Sequence, residues 1–353
     1  MGLGQPEKMP PIMGGTGRVY AVSRLPQKVW LMLATAVVAL LVFLSLACGV
    51  RPLSLHTVWT IMLGGGAVDE RAVVLMLRLP RTLLGLLIGA SLGIAGAMIQ
   101  ALTRNPLADP GLLGVNAGAS FCILLGSALF EVSAPDGLIW FAFAGACAGA
   151  CLVHLLGRTG GSSATPVRLV LCGVAVAAVL GGLTSLISLL DPAAFDRFRH
   201  WNAGALGSSE MHTVRQSGGF MLAGCVLSLL VSRRLNIVAL GDAKAHALGV
   251  DIVGTHLLCL VAITLLCGAS TAAVGPIGFV GLTVPHVART LCGPDQRWIV
   301  LFCAILGPAL LLTADILGRL IAAPAELPAG ILCAFVGAPV FIALLRRTIQ
   351  SRL

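Results

Sequence analysis

Arg78 and Arg81, in the stretch Arg78-Leu79-Pro80-Arg81, stand three residues apart at the edge of a long apolar run. On a helical start they share a face. Arg319 follows Asp315 by four residues, again on one face of a helix. A guanidinium pairs with a carboxylate through two parallel hydrogen bonds, which a lysine cannot reproduce. The chemistry on offer is therefore recognition of acidic groups rather than the making of bonds. Asp315 is the one acid deep in a late apolar segment, between Ala314 and Ile316. A carboxylate in such a setting is expensive and needs a partner. Either Asp315 orients Arg319 at a surface, or the two snorkel as a pair near a helix end.

Catalytic constellations are weak by comparison. A nucleotide P-loop needs a lysine followed by Ser or Thr. The three lysines, Lys8, Lys28 and Lys244, are followed by Met9, Val29 and Ala245, so ATP hydrolysis would need another subunit. Gly89-Ala90-Ser91-Leu92-Gly93 matches the G-x-S-x-G pattern by letters, but it lies inside an apolar helical run and not at a strand–turn–helix corner. The seven histidines are scattered, and only His246 and His256 come loosely near ligand spacing. His286, in Val284-Pro285-His286, reads as a structural hydrogen bond beside a proline-kinked helix rather than as a proton relay or ligand. The eleven cysteines lie almost all in apolar runs and form no CxxC pair. Cys147 and Cys151, one turn apart, could hold a metal or redox site, but small apolar packing residues are the better reading. The chain is expected to hold no metal and no cofactor of its own.

The elements that carry these residues are apolar. The chain has 353 residues, 58% of them hydrophobic and 10% charged, which excludes an ordinary soluble domain. A helix needs ~20 apolar residues to span a bilayer. Ten candidates stand at 29–50, 82–102, 111–130, 138–157, 168–190, 218–232, 255–274, 276–292, 299–318 and 328–345. The alternation of an outer-membrane barrel is absent. The expected fold is all-α, a polytopic membrane protein with about ten transmembrane helices. Residues 1–28 are basic and rich in Gly and Pro, and read as a disordered cytoplasmic tail. The run from Trp30 to Gly49 is too long for a signal-peptide core and reads as an uncleaved first span. A transmembrane domain over 29–347 and a short end at 348–353 complete the division.

With both ends inside, fifteen of the 23 Lys and Arg residues fall on the cytoplasmic side. The eight outside, Arg78, Arg81 and Arg319 among them, are all arginine. The bias favours cytoplasmic termini. The first apolar run after Arg81 carries Gly85, Gly89 and Gly93, a small-residue ladder suited to close helix packing. It ends in Asn105-Pro106 and Asp109-Pro110, which force a compact turn. The segment 233–254 is the longest polar inside stretch after the tail. In it, Asp242 is placed to cap a short helix through Leu248 that ends at Gly249.

Long motifs then carry a resemblance. Arg78-Leu79-Pro80-Arg81 and the run from Gly89 to Ala119, through Arg104-Asn105-Pro106-Leu107-Ala108-Asp109-Pro110, resemble the permease subunit of type II ABC importers for iron–siderophores, haem and cobalamin. So do Gly241-Asp242 with Ala247-Leu248-Gly249-Val250, the stretch Gly275–Arg289, and the stretch Thr313–Phe341. The resemblance covers roughly residues 30 to 347. It implies a dimer, of two identical chains or with a close paralogue, that forms the inner-membrane pathway for a ferric siderophore. It implies two ABC ATPases, which hold the ATP and Mg, on the inside surface, and a substrate-binding protein on the outside. Gly241, Asp242, Ala247, Leu248 and Gly249 would form the segment that couples to the ATPase. Asn105, Pro106 and Leu107, with Thr165, Pro166 and Val167, would form a cytoplasmic gate. Arg78, Arg81 and Arg319 would receive acidic residues of the binding protein. Trp201 to Leu206 resembles the family's W-x-x-G-S-L motif after a short periplasmic helix, with Ala205 in place of serine. Haem or cobalamin as substrate, and an ion-coupled secondary transporter, are the alternatives. The last would need paired polar groups at midplane, for which Asp315 is the one candidate. Lipid is an expected partner and nucleic acid is not.

Overall fold

The computed structural model describes residues 26–49, 52–130, 135–158, 166–207 and 210–350, with side chains described for all of these but 135, 136, 158, 166, 242, 340 and 343–350. The expected tail lies outside the described residues up to residue 25, as do Thr165 and residues 351–353. The described chain is largely helical. In order come α1 (Gln27–Ala47), α2 (Leu55–Met62), α3 (Val68–Ala72), a π-helical stretch (Val73–Arg78) and α4 (Leu79–Thr103). A 3-10 turn (Pro110–Leu113) leads into α5 (Val115–Leu129), α6 (Pro135–Arg158), α7 (Pro166–Leu190) and α8 (Pro192–Asn202). Then follow α9 (Met211–Val238), α10 (Asp242–Ala247), α11 (Ile252–Val274), α12 (Val280–Cys292), α13 (Gln296–Ile321) and α14 (Ala329–Gln350). Each of the ten expected segments overlaps one of these helices. Among the described residues, seven helical segments are long and apolar enough to cross a membrane, while α5 and the apolar part of α14 are shorter.

The bundle is built around α4, which is buried along nearly its whole length and packs on α9, α11, α12 and α13. The glycine ladder explains how close the packing is. A Cβ at Gly89 would overlap the backbone of Pro308 and Gly307, one at Gly93 would press on the Cys303 carbonyl, and one at Gly96 would overlap the Gly281 carbonyl. Small residues let backbones meet where lipid offers no hydrophobic drive toward association. Gln100 locks the same contact, its Nε2 donating to the Leu282 carbonyl at 3.2 Å while its Oε1 accepts from Arg289 at 2.5 Å.

Two breaks in the helices account for the short elements. Arg104 ends α4 in the left-handed conformation (φ 51°), and the chain then turns back into the bundle. The Pro110 ring reaches Gly281, and the Leu112 carbonyl lies against Gly173 of α7. Gly281 also abuts Gly96, which stands before the end of α4 at Thr103, roughly 10 Å up the helix from that end. So α5 starts inside the bundle and needs only 15 residues. From the other side Gly275 to Phe279 enters without helical structure, and α12 starts at Val280 with 13 residues. Irregular backbone at this depth is tolerated because protein surrounds it. Apolar side chains of α1 and α7, among them Leu40, Leu171, Val179 and Leu186, remain exposed, as expected of surfaces that meet lipid or another subunit.

Candidate functional site

The three arginines singled out by sequence meet at one end of the bundle, where α4 starts and where α1 and α13 end. Arg81 lies in the first turn of α4, next to Pro80, where α4 continues the π-helical stretch without a break. Its Nε and Nη2 donate to Asp315 Oδ1 at 3.0 and 2.7 Å, and its Nη1 donates to Glu326 Oε2 at 2.6 Å. Arg319 shares the same aspartate, with Nη2 at 2.8 Å from Asp315 Oδ2. It also donates to the carbonyls of Ser45 and Cys48, both at 2.9 Å. Arg78 donates to the carbonyls of Leu46 and Ala47 at 2.7 and 2.8 Å. Two guanidinium groups thus cap carbonyls at the C-terminus of α1, where a cation is favoured. Ser45 Oγ, 2.9 Å from Thr82 Oγ1, completes the seam between α1 and α4.

This placement says how the three arginines are held. Arg78, Arg81 and Arg319 are buried, not exposed anchors at a membrane surface. The reason is electrostatic: a guanidinium inside an apolar bundle must find carboxylates or carbonyls, and it finds both within the fold. Asp315 and Arg319 pair as their spacing predicts, but deep in the protein and not by snorkelling. Sequence reasoning missed Glu326, Ser45 and Thr82. Glu326 had a signal, since it is the only acid after Asp315.

The other residues sit toward the opposite end of α4. Asn105, Pro106 and Leu107 form an exposed turn, in which Asn105 Oδ1 accepts from the Leu107 N–H at 3.0 Å and the Asn105 carbonyl accepts from the Ala108 N–H at 3.1 Å. Arg104 fixes the turn to α9 by donating to the Val238 carbonyl at 2.8 Å. Pro166 and Val167 open α7, and Val167 is exposed. The 3-10 turn that follows Leu107 packs on α7, with the Leu112 carbonyl against Gly173.

α10 forms at Asp242–Ala247, between α9 and α11. Asp242 is not its cap. Gly241 takes that place with φ 110°, a conformation that L side chains rarely adopt, and Asp242 is the first helical residue. The helix closes in a Schellman motif, with the Gly249 N–H donating to the His246 carbonyl and the Val250 N–H to the Ala245 carbonyl, both at 3.0 Å. Gly249 has φ 72° there. Ala245 is buried and anchors the element, while Lys244, His246, Ala247 and Leu248 are exposed. The helix expected before the Trp201 motif is α8, capped by Asp191, whose Oδ1 accepts from the Ala193 and Ala194 N–H groups, both at 3.0 Å.

A family model for the FecCD transport family matches residues 37–347. The chain belongs to the FecCD transport family. It is a transport permease. It is 50% identical over 304 residues to the ferric enterobactin transport system permease protein FepD of Escherichia coli (strain K12), a match that covers 86% of this chain and 91% of that one. It is 37% identical over 322 residues to the hemin transport system permease protein HmuU of Yersinia pestis, covering 89% of this chain and 95% of that one. Among solved structures it resembles a putative metal-chelate type ABC transporter in an inward-facing conformation, with TM-score 0.80 and 26% identity, over 91% of this chain and 99% of that one.

Proposed function

We propose that this FecCD-family permease forms, with a second permease subunit, the inner-membrane pathway of an ATP-driven importer for a ferric siderophore. The observation that carries the substrate reading is the 50% identity to a ferric enterobactin permease along nearly its whole length. ATP and Mg are held by a separate ABC ATPase pair, because no lysine of this chain is followed by Ser or Thr. Both termini are cytoplasmic. α10 faces the ATPase, since a short, anchored helix with an exposed outer face suits a docking lever. The turns at Asn105–Leu107 and Thr165–Val167 are the gate on that side. The end with Arg78, Arg81 and Arg319 faces outward and receives acidic side chains of a substrate-binding protein. The 37% identity to a hemin permease supports haem as the second reading. The two are separated by uptake in a deletion strain given radiolabelled iron as ferric siderophores or as haem. Restored siderophore uptake with no gain for haem supports the main reading, and the reverse selects the second.

A further inference from the structure

The two carboxylates on Arg81 are held very differently. Asp315 is 1% exposed and takes two arginines at once. Glu326 is 37% exposed, belongs to the non-helical link between α13 and α14, and makes one contact with Arg81 through a single oxygen. Breaking the first pair would strand a buried charge, whereas the second pair, open to water on one side, is held far more weakly. Glu326 is thus the labile partner of an arginine whose side chain is only 10% exposed.

Two more observations bear on this contact. Gly207, which is exposed, lies directly over it: a Cβ there would stand 3.1 Å from Glu326 Oε2 and 3.6 Å from Arg81 Nη1. The approach to the pair is therefore free of any side chain at that position. Glu326 also lines a cavity of about 660 Å³, whose wall includes Arg197, Arg199 and His200 of α8. A carboxylate leaving Arg81 has two arginines in the same wall, Arg197, which donates to Ser127, and Arg199, which pairs loosely with Asp196 at 3.5 Å.

We propose that docking at this end proceeds by carboxylate exchange: an acidic side chain of a protein partner enters over Gly207, takes Arg81, and Glu326 swings into the cavity beside α8. This rests on the reading of Arg81 as a docking residue and adds what that reading lacks, namely how a buried, already paired arginine becomes available. Charges stay paired throughout, so the exchange avoids the penalty of baring a desolvated guanidinium.

The test is a double-mutant cycle on the complete transporter in lipid nanodiscs, reading the Kd of the loaded binding protein at low salt. With its internal competitor gone, Glu326→Gln is expected to tighten docking about three- to tenfold. Arg81→Gln is expected to weaken it, Asp315 retaining Arg319. In the Arg81→Gln background the gain from Glu326→Gln should vanish. Gly207→Val, which covers the pair without changing a charge, should weaken docking in the otherwise unaltered transporter. If Arg81→Gln weakens docking but Glu326→Gln leaves it unchanged, the exchange is wrong and the docking reading stands. An equal gain in both backgrounds marks a general field effect and also overturns the exchange. If neither single variant alters Kd, the docking reading falls and the exchange with it.

Discussion

Asp315 is the residue on which the buried end of the bundle depends, because it is shared by Arg81 and Arg319. Asp315→Ala should therefore destabilise the protein by about 3–5 kcal/mol. Glu326→Gln, at a partly exposed pair, should change stability by ~1 kcal/mol or less. Unfolding of the two purified variants in the same detergent checks the contrast, and equal losses would contradict it. Reversing both Arg78 and Arg81 to Glu would be a poor probe of docking, since Arg78 also holds the carbonyls at the end of α1. The spacing of Arg78, Arg81, Asp315 and Arg319 was legible in the sequence as a set of faces. What lay opposite each face was not, because helical periodicity says which residues share a side but not which carbonyl or carboxylate another helix brings to it. Glu326 escaped for that reason, although its isolation after Asp315 marked it.

At the scale of elements, α10 and the two turns make separable claims. Gly249 closes α10 at φ 72°, which proline cannot adopt, and Ala247 is exposed beside it. Gly249→Pro or Ala247→Asp should release the ATPase or uncouple its hydrolysis from uptake, while the permease still inserts in the membrane. Normal transport with normal co-purification of the ATPase would remove α10 from the coupling role. Leu107 and Val167 are both exposed, so single cysteines there, in a background without reactive native thiols, should react with thiol reagents at rates that change with nucleotide state. A constant rate in every state would remove these turns from the gate. The glycine ladder was readable from spacing, but the partners of Gly89 and Gly93, Pro308 and Cys303, only from the fold. One turn further on, Gly96→Leu should block assembly of α4 against α12, seen as loss of folded protein on size exclusion. The starts of α5 and α12 were misplaced for a physical reason. Apolar runs at 111–130 and 276–292 register hydrophobicity, and they cannot register that residues 108–114 and 275–279 enter the bundle before these short helices begin.

The whole molecule is an apolar helical bundle with two polar ends of different character. One end is stitched by buried arginines under a partly exposed carboxylate, and the other carries a small exposed helix, the exposed turn at Asn105–Leu107 and the start of α7. This asymmetry is what an importer requires if one end receives a cargo carrier and the other takes work from an ATPase. The membrane class and the number of apolar segments were legible because composition and segment length decide them. The substrate was not, because none of the residues named for the pathway distinguishes one chelate from another. The central claim is ATP-driven import of a ferric siderophore, and it is tested most directly in proteoliposomes. These would hold this permease with its partner permease and ATPase, and be supplied with the loaded binding protein. Accumulation of radiolabelled iron, dependent on ATP and on the binding protein and unaffected by collapsing ion gradients, is the predicted result. Accumulation that proceeds without ATP and stops when the ion gradient is collapsed would contradict it.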